Sequence, residues 1–171
     1  TPARTAFDLG RRQGLQRAVA RLDALARATD LKLPDVQSLI ERHPGARGII
    51  QLRRALELID AGSQSPWETR TRLTLVAAGL PRPTTQVPVY DGGCLLARID
   101  MGWEDWLVGV EFDGAQHWTD PRQRTWDIDR QAELEALGWR IVRVSADMLR
   151  YRPSVVVARA RAALTAAGAA M

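Results

Sequence analysis

Apolar residues recur at two different spacings along this chain, and the change falls near residue 62. Before it, Leu15, Val19, Leu22 and Ala26 return every three or four residues. That spacing predicts one stripe of a helix, with Arg17, Arg21 and Arg27 mostly off it. Ile49, Leu52, Leu56 and Ile59 form a second stripe, with Arg47, Arg53 and Arg54 outside, and Pro34 opens a short helix through Glu41. Residues 60–65 read as a linker or tight connection. Beyond them Ser65 stands as an N-cap, Pro66 as the first helical residue and Glu68 as the capping-box acid of a helix that Gly79 stops. Alternation with period two then predicts strands over 86–90, 95–101, 106–113 and 139–144. Asp91-Gly92-Gly93 is a hairpin signal between the first two. Asp120-Pro121 starts a helix ended by Gly138, and Pro153 opens a last one.

The order predicts a small helical segment, 1–62, followed by an α/β domain, 63–171, with the core sequence α-β-β-β-α-β. The three short-linked strands are expected to be antiparallel. The third and fourth strands, joined through a helix, are expected to be parallel with a right-handed crossover.

Composition changes this picture mainly by exclusion. Of 171 residues, 46% are hydrophobic and 26% charged, the balance of a globular protein. No apolar run approaches a membrane span and no signal peptide is evident, so a cytoplasmic protein without membrane attachment is expected. A single cysteine, Cys94, leaves no internal disulfide, and two histidines, His43 and His117, leave no His-built zinc centre. A catalytic metal would rest on carboxylates. The first 62 residues carry 11 positive and 7 negative side chains, whereas the rest balance at 13 of each. Arginine supplies nearly all the positive charge, Lys32 being the only lysine. The helical arginines read as a solvated surface or as a face for nucleic acid or another partner.

The strands hold the candidate chemistry. Alternation sets Leu107, Gly109, Glu111 and Asp113 on one face of the third strand, and a glutamate amid apolar neighbours needs a partner or a metal. On the second strand Leu95, Ala97, Ile99 and Met101 share one face, and Leu96, Arg98 and Asp100 the other. A turn centred on Glu104-Asp105 would set residue 100 against residue 109, making Asp100 and Glu111 diagonal neighbours on one face. Two such carboxylates suit Mg²⁺, which keeps waters and accepts phosphate oxygens, and the chemistry that follows is phosphodiester hydrolysis. The alternative is a salt bridge between Glu111 and Arg98 with no catalysis.

Taken together, Asp100, the run from Val110 to His117, Asp127, Arg130, Leu134 and the run from Gly138 to Val144 resemble a bacterial domain of unknown function. That domain is grouped with the very-short-patch-repair endonucleases in the PD-(D/E)XK, restriction-endonuclease-like superfamily. The likeness covers about residues 64–152. It implies a mixed sheet flanked by helices, with Asp100, Glu111 and the Phe112 carbonyl holding Mg²⁺ or Mn²⁺. Glu68 matches an acidic position that can join such a site, beside its capping role. His117 would orient water or bind phosphate. The superfamily's usual lysine is Asp113 here, which leaves the general base unassigned and makes Asp113 either a second metal ligand or the start of a turn. Arg130 and Arg143 match positions that contact phosphate or form structural ion pairs. Trp118 and Trp126 are candidates for base stacking or core packing.

The first twelve residues, Thr1 to Arg12 with the paired Arg11-Arg12, resemble the stretch that follows the winged helix in AbiEi-type antitoxin proteins. This implies a DNA-binding winged helix ahead of residue 1 and a helical arm that holds DNA through arginines. The reading is a metal-dependent DNA endonuclease or nickase, acting as a monomer or a homodimer. Its rivals are a non-catalytic, antitoxin-type DNA-binding regulator with a degenerate nuclease fold, and a protein-interaction module with a basic arm.

Overall fold

The computed structural model describes residues 1–12, 14–114 and 121–170, with the backbone alone for 121–125. The chain divides into two compact units, Thr1–Leu73 and Thr74–Met171. The division falls inside a helix, α5 (Pro66–Ala77), which follows α1 (Pro2–Arg12), α2 (Leu15–Ala28), α3 (Leu33–Arg42) and α4 (Ile49–Leu58).

The periodic stripes become the buried faces of the first unit. Val19 and Leu22 of α2 meet Val36 and Ile40 of α3 and Leu52 of α4 in one core. The α1 helix was not legible as a stripe, because it buries only Ala6, Phe7 and Gly10. Ser65 Oγ accepts the Glu68 N–H at 3.1 Å, and the Glu68 carboxylate accepts the Gln64 N–H at 2.8 Å. The reciprocal bond thus lands one residue earlier than in a standard capping box.

An ionic knot lies under this cap. Arg72 on α5 donates from Nη2 to Asp23 Oδ2 (2.8 Å), from Nη1 to the Leu58 carbonyl (2.7 Å) and from Nε to Ser63 Oγ (3.3 Å). Asp23 also accepts the Thr69 hydroxyl and the Asp60 N–H, each at 2.7 Å. Burial pushes the Asp23 carboxyl up, while the Asp60 N–H, the Thr69 hydroxyl and Arg72 work against that shift. Arg27 donates to the Ser63 carbonyl at 2.7 Å. Residues 60–65 are therefore a tight connection, tied down by an arginine that stays exposed on the helix surface.

The second unit contains β1 (Thr84–Asp91), β2 (Cys94–Trp103), β3 (Val108–Asp113), α6 (Pro121–Ala136), β4 (Arg140–Ser145), α7 (Ala146–Tyr151) and α8 (Pro153–Ala166). Its sheet has the order β1-β2-β3-β4, with the first two pairings antiparallel and the last parallel. This is a mixed α/β unit. Asp91 pairs with Cys94 across Gly92 and Gly93, whose φ values of 54° and 86° give the doubly left-handed turn that the Asp-Gly-Gly signal predicts. Leu134 of α6 joins Val87, Val89, Ala97, Ile99 and Trp139 in a second core, and α8 packs on β3 and β4. The short α7 was not anticipated; Ser145 caps it, accepting the Met148 N–H at 3.3 Å. No helix among the described residues is long and apolar enough to cross a membrane.

One boundary departs from the reading of 106–113 as a strand. Glu104–Trp106 is a 3₁₀ turn, Leu107 follows at φ 49°, and β3 starts at Val108. The Leu107 N–H bonds back to the Glu104 carbonyl at 3.1 Å, which keeps Trp106 in the connection.

Candidate active site

The longer turn slides the β2–β3 register by two residues. Gly102, not Asp100, faces Gly109, and the pairing ends at Met101 with Val110. A slip of two preserves the faces of an ideal strand, whereas a slip of one would reverse them. Beyond the last pair, Asp100 Oδ2 accepts the Phe112 N–H at 2.8 Å, so a side chain takes over where the β2–β3 ladder stops.

Alternation along β2 also breaks at Asp100. A Cβ on Gly109 would lie 2.9 Å from Ile99 Cγ2 and 2.8 Å from Ile141 Cδ1. Ile99 therefore shares the face of Gly109 and Glu111, although strict alternation from Met101 assigns it to the other. Across from this break the β1–β2 register sets Gln86, whose φ of 55° is left-handed and costs a non-glycine residue about 1 kcal/mol or more. The irregularity thus sits beside Asp100.

A cleft of about 260 Å³ opens here. Asp100, Glu111, Asp113 and Asp127 line it together with Arg98, Arg130 and Arg143, drawn from β2, β3, β4 and α6. Arg130 grips Glu111 with two parallel bonds, Nη1 to Oε1 at 2.8 Å and Nη2 to Oε2 at 3.0 Å. The Glu111 bond, more than any other influence, holds the Arg130 guanidinium above its already high ordinary pKa. Its carbon lies 5.6 Å from the ring centroid of the exposed Trp126. Arg143 approaches Asp113 at 3.7 Å. Glu111 accordingly pairs with Arg130, not with Arg98.

The sequence candidates therefore separate into groups. Asp100, Glu111, Phe112, Asp113, Arg130 and Arg143 share one cleft. Glu68 belongs to the first unit, where it caps α5, and so do Arg11 and Arg12. His117 and Trp118 lie outside the described residues. Among those described, the buried side-chain nitrogens without a hydrogen-bond partner are the Nε atoms of Arg11, Arg130 and Arg143. All three are nucleic-acid candidates on the sequence alone. Arg98, which alternation sets on one face with Asp100, lines the cleft without pairing with Glu111.

Among the described residues no group of three or more His, Cys, Asp or Glu is placed to hold a metal. Asp100 and Glu111 supply two hard oxygen donors in one cleft, which fits Mg²⁺ or Mn²⁺, since Mg²⁺ is commonly held by one or two carboxylates with waters completing its shell.

The family model REase_MTES_1575, which carries a restriction-endonuclease-like name, matches residues 76–164. Two curated proteins of Mycobacterium tuberculosis, "Uncharacterized protein MT2308" (strain CDC 1551 / Oshkosh) and "Uncharacterized protein Rv2248" (strain ATCC 25618 / H37Rv), are each 32% identical to this chain over 158 residues. The match covers 92% of the chain and 58% of each relative, so the chain spans little more than half their length. No solved structure matches it.

Proposed function

The chain belongs to the REase_MTES_1575 family, a restriction-endonuclease-like family, and on that footing we propose that its cleft hydrolyses DNA phosphodiester bonds with Mg²⁺ or Mn²⁺. The observation that carries the reading is the meeting of Asp100 and Glu111 in one cleft with Arg98, Arg130 and Arg143. Asp100 and Glu111 would hold the cation, joined by the Phe112 carbonyl according to the PD-(D/E)XK resemblance. A cation held there supplies Lewis acidity at the phosphoryl oxygen and a lowered pKa for attacking water. The chain's own part is electrostatic. Asp100 fixes the backbone of Phe112, the residue after Glu111, through its bond to that N–H. Arg143 and Arg98 counter the charge of an incoming phosphate. Arg11 and Arg12 of the helical unit are proposed to contact DNA backbone as well.

Plasmid nicking and linearisation with Mg²⁺ and Mn²⁺ tests the proposal. Asp100→Ala and Glu111→Ala should each lower the rate about 10³-fold or more, the loss expected when several kcal/mol of charge stabilisation disappears. Parent-level cleavage by either variant would dismiss the site. One observation favours the second reading, a DNA-binding regulator without catalysis. Where the superfamily places a lysine, this chain has Asp113, and Arg143 lies beside it. No cleavage of supercoiled, single-stranded or mismatched DNA, together with salt-dependent DNA binding, would select that reading.

A further inference from the structure

We propose that Arg130 is an exchangeable occupant of Glu111. It holds the carboxylate while the cleft is empty and turns to a phosphate oxygen of a bound strand when Glu111 is ceded to a divalent cation. The inference rests on the metal-dependent reading above and adds how that site is regulated.

The geometry points to exchange and not to a fixed brace. Both oxygens of Glu111 are taken, at 2.8 and 3.0 Å, so a cation can share this carboxylate only by weakening the fork. A guanidinium and a cation also repel one another across the same group. Yet the grip on Arg130 is partial. Every hydrogen bond it makes among the described residues goes to Glu111, and its buried Nε has no partner. Arg72, in the first unit, is anchored through Nε, Nη1 and Nη2 to three different residues. An arginine hydrogen-bonded to one carboxylate loses that fork when the carboxylate changes partner, and the charges of Asp127 and Asp100 then keep it at the cleft without fixing its direction. Released, Arg130 still lines the cleft and rests near Trp126, with a forked donor suited to phosphate.

Exchange and bracing predict opposite signs. An outer partner that positions a metal ligand normally supports affinity, so its loss weakens metal binding roughly 10–100-fold. A competitor does the reverse. The measurement is calorimetric titration of the intact chain with MnCl₂ alone, comparing parent, Arg130→Gln, Arg130→Lys and Glu111→Gln. Exchange requires Arg130→Gln to bind Mn²⁺ about tenfold more tightly, with Arg130→Lys between it and the parent because one ammonium cannot fork onto both oxygens. Glu111→Gln should lose the binding. Unchanged or weaker binding by both Arg130 variants, with Glu111→Gln still defective, overturns the exchange and leaves the metal site standing. Should Arg130→Gln fail to fold, Arg130→Lys decides by the same sign. Absent Mn²⁺ binding in the parent and in both Arg130 variants, or binding unaffected by Glu111→Gln, overturns the metal reading and the exchange with it. A second arm follows a fluorescein-labelled DNA duplex by anisotropy in EDTA. Glu111→Gln should bind several-fold more tightly than the parent, and adding Arg130→Gln should abolish that gain. A gain that survives in the double variant refutes the phosphate half of the proposal.

Discussion

Each unit buries an arginine against a carboxylate, and the two pairs are built differently. Asp23 and Arg72 are 1% and 0% exposed, and hydroxyls, backbone N–H groups and carbonyls complete their bonding. Glu111 and Arg130 are 11% and 13% exposed, bind chiefly one another and border a cleft. A saturated pair resists change because any alteration strands several groups. A pair whose hydrogen bonds run to one another at the border of a cleft leaves each member room for a new partner. The first is suited to holding helices together, the second to exchanging ligands.

The most severe way to break this comparison is Arg72→Met. It strands Asp23 in the core and should cost about 3–5 kcal/mol, whereas Arg130→Gln should cost about 1 kcal/mol. Denaturant unfolding of both variants checks this, and equal losses would erase the distinction. Replacing both members of the first pair, Asp23→Leu with Arg72→Met, should recover much of the loss, because no buried charge is left alone.

Next in size is Gly109→Ala. The new methyl would lie within 3 Å of both Ile99 and Ile141, and overpacking of this kind costs about 1–3 kcal/mol. The substitution disturbs the floor beneath the cleft pair without touching either charge. Loss of stability with no change at Gly109's neighbours in a methyl NMR spectrum would contradict the packing described.

The smallest effect belongs to a half-buried counterpart. Asp8 lies 2.8 Å from Arg4 Nε and 2.9 Å from Arg11 Nη2, and these hydrogen bonds hold its carboxyl below the ordinary range. A lowered carboxylate pKa stabilises the fold above the unfolded value and loses that contribution as pH falls through the folded one. Asp8→Asn should therefore cost a few tenths of a kcal/mol at neutral pH, with the gap closing as pH falls through and below the ordinary carboxylate range, as thermal melts across pH would record.

Much of the scaffold was legible because its signals are local. Gly79 and Gly138 end helices where expected, and in each case the next residue's N–H reaches five residues back, Leu80 to Leu75 and Trp139 to Leu134. The hairpin at Gly92-Gly93 and the parallel pairing of β3 with β4 likewise follow from turn chemistry and an intervening helix. Two helices escaped: α1, whose buried face has one large residue, and α7, which is only six residues long.

The residues of the cleft could be named in advance, because a glutamate inside an apolar strand and an aspartate on the strand before it are conspicuous in any sequence. Their relations could not. A connection two residues longer than the simplest turn set the register, and the break in alternation at Asp100 turned its carboxylate to the Phe112 N–H. The partner of Glu111 came from α6, 19 residues away, where pairing with Arg98 had been the local choice. The order of elements is a matter of short-range backbone preference, which the amino-acid sequence alone determines. Which guanidinium meets which carboxylate depends on distances between elements, and only the packing of α6 against the sheet decided that.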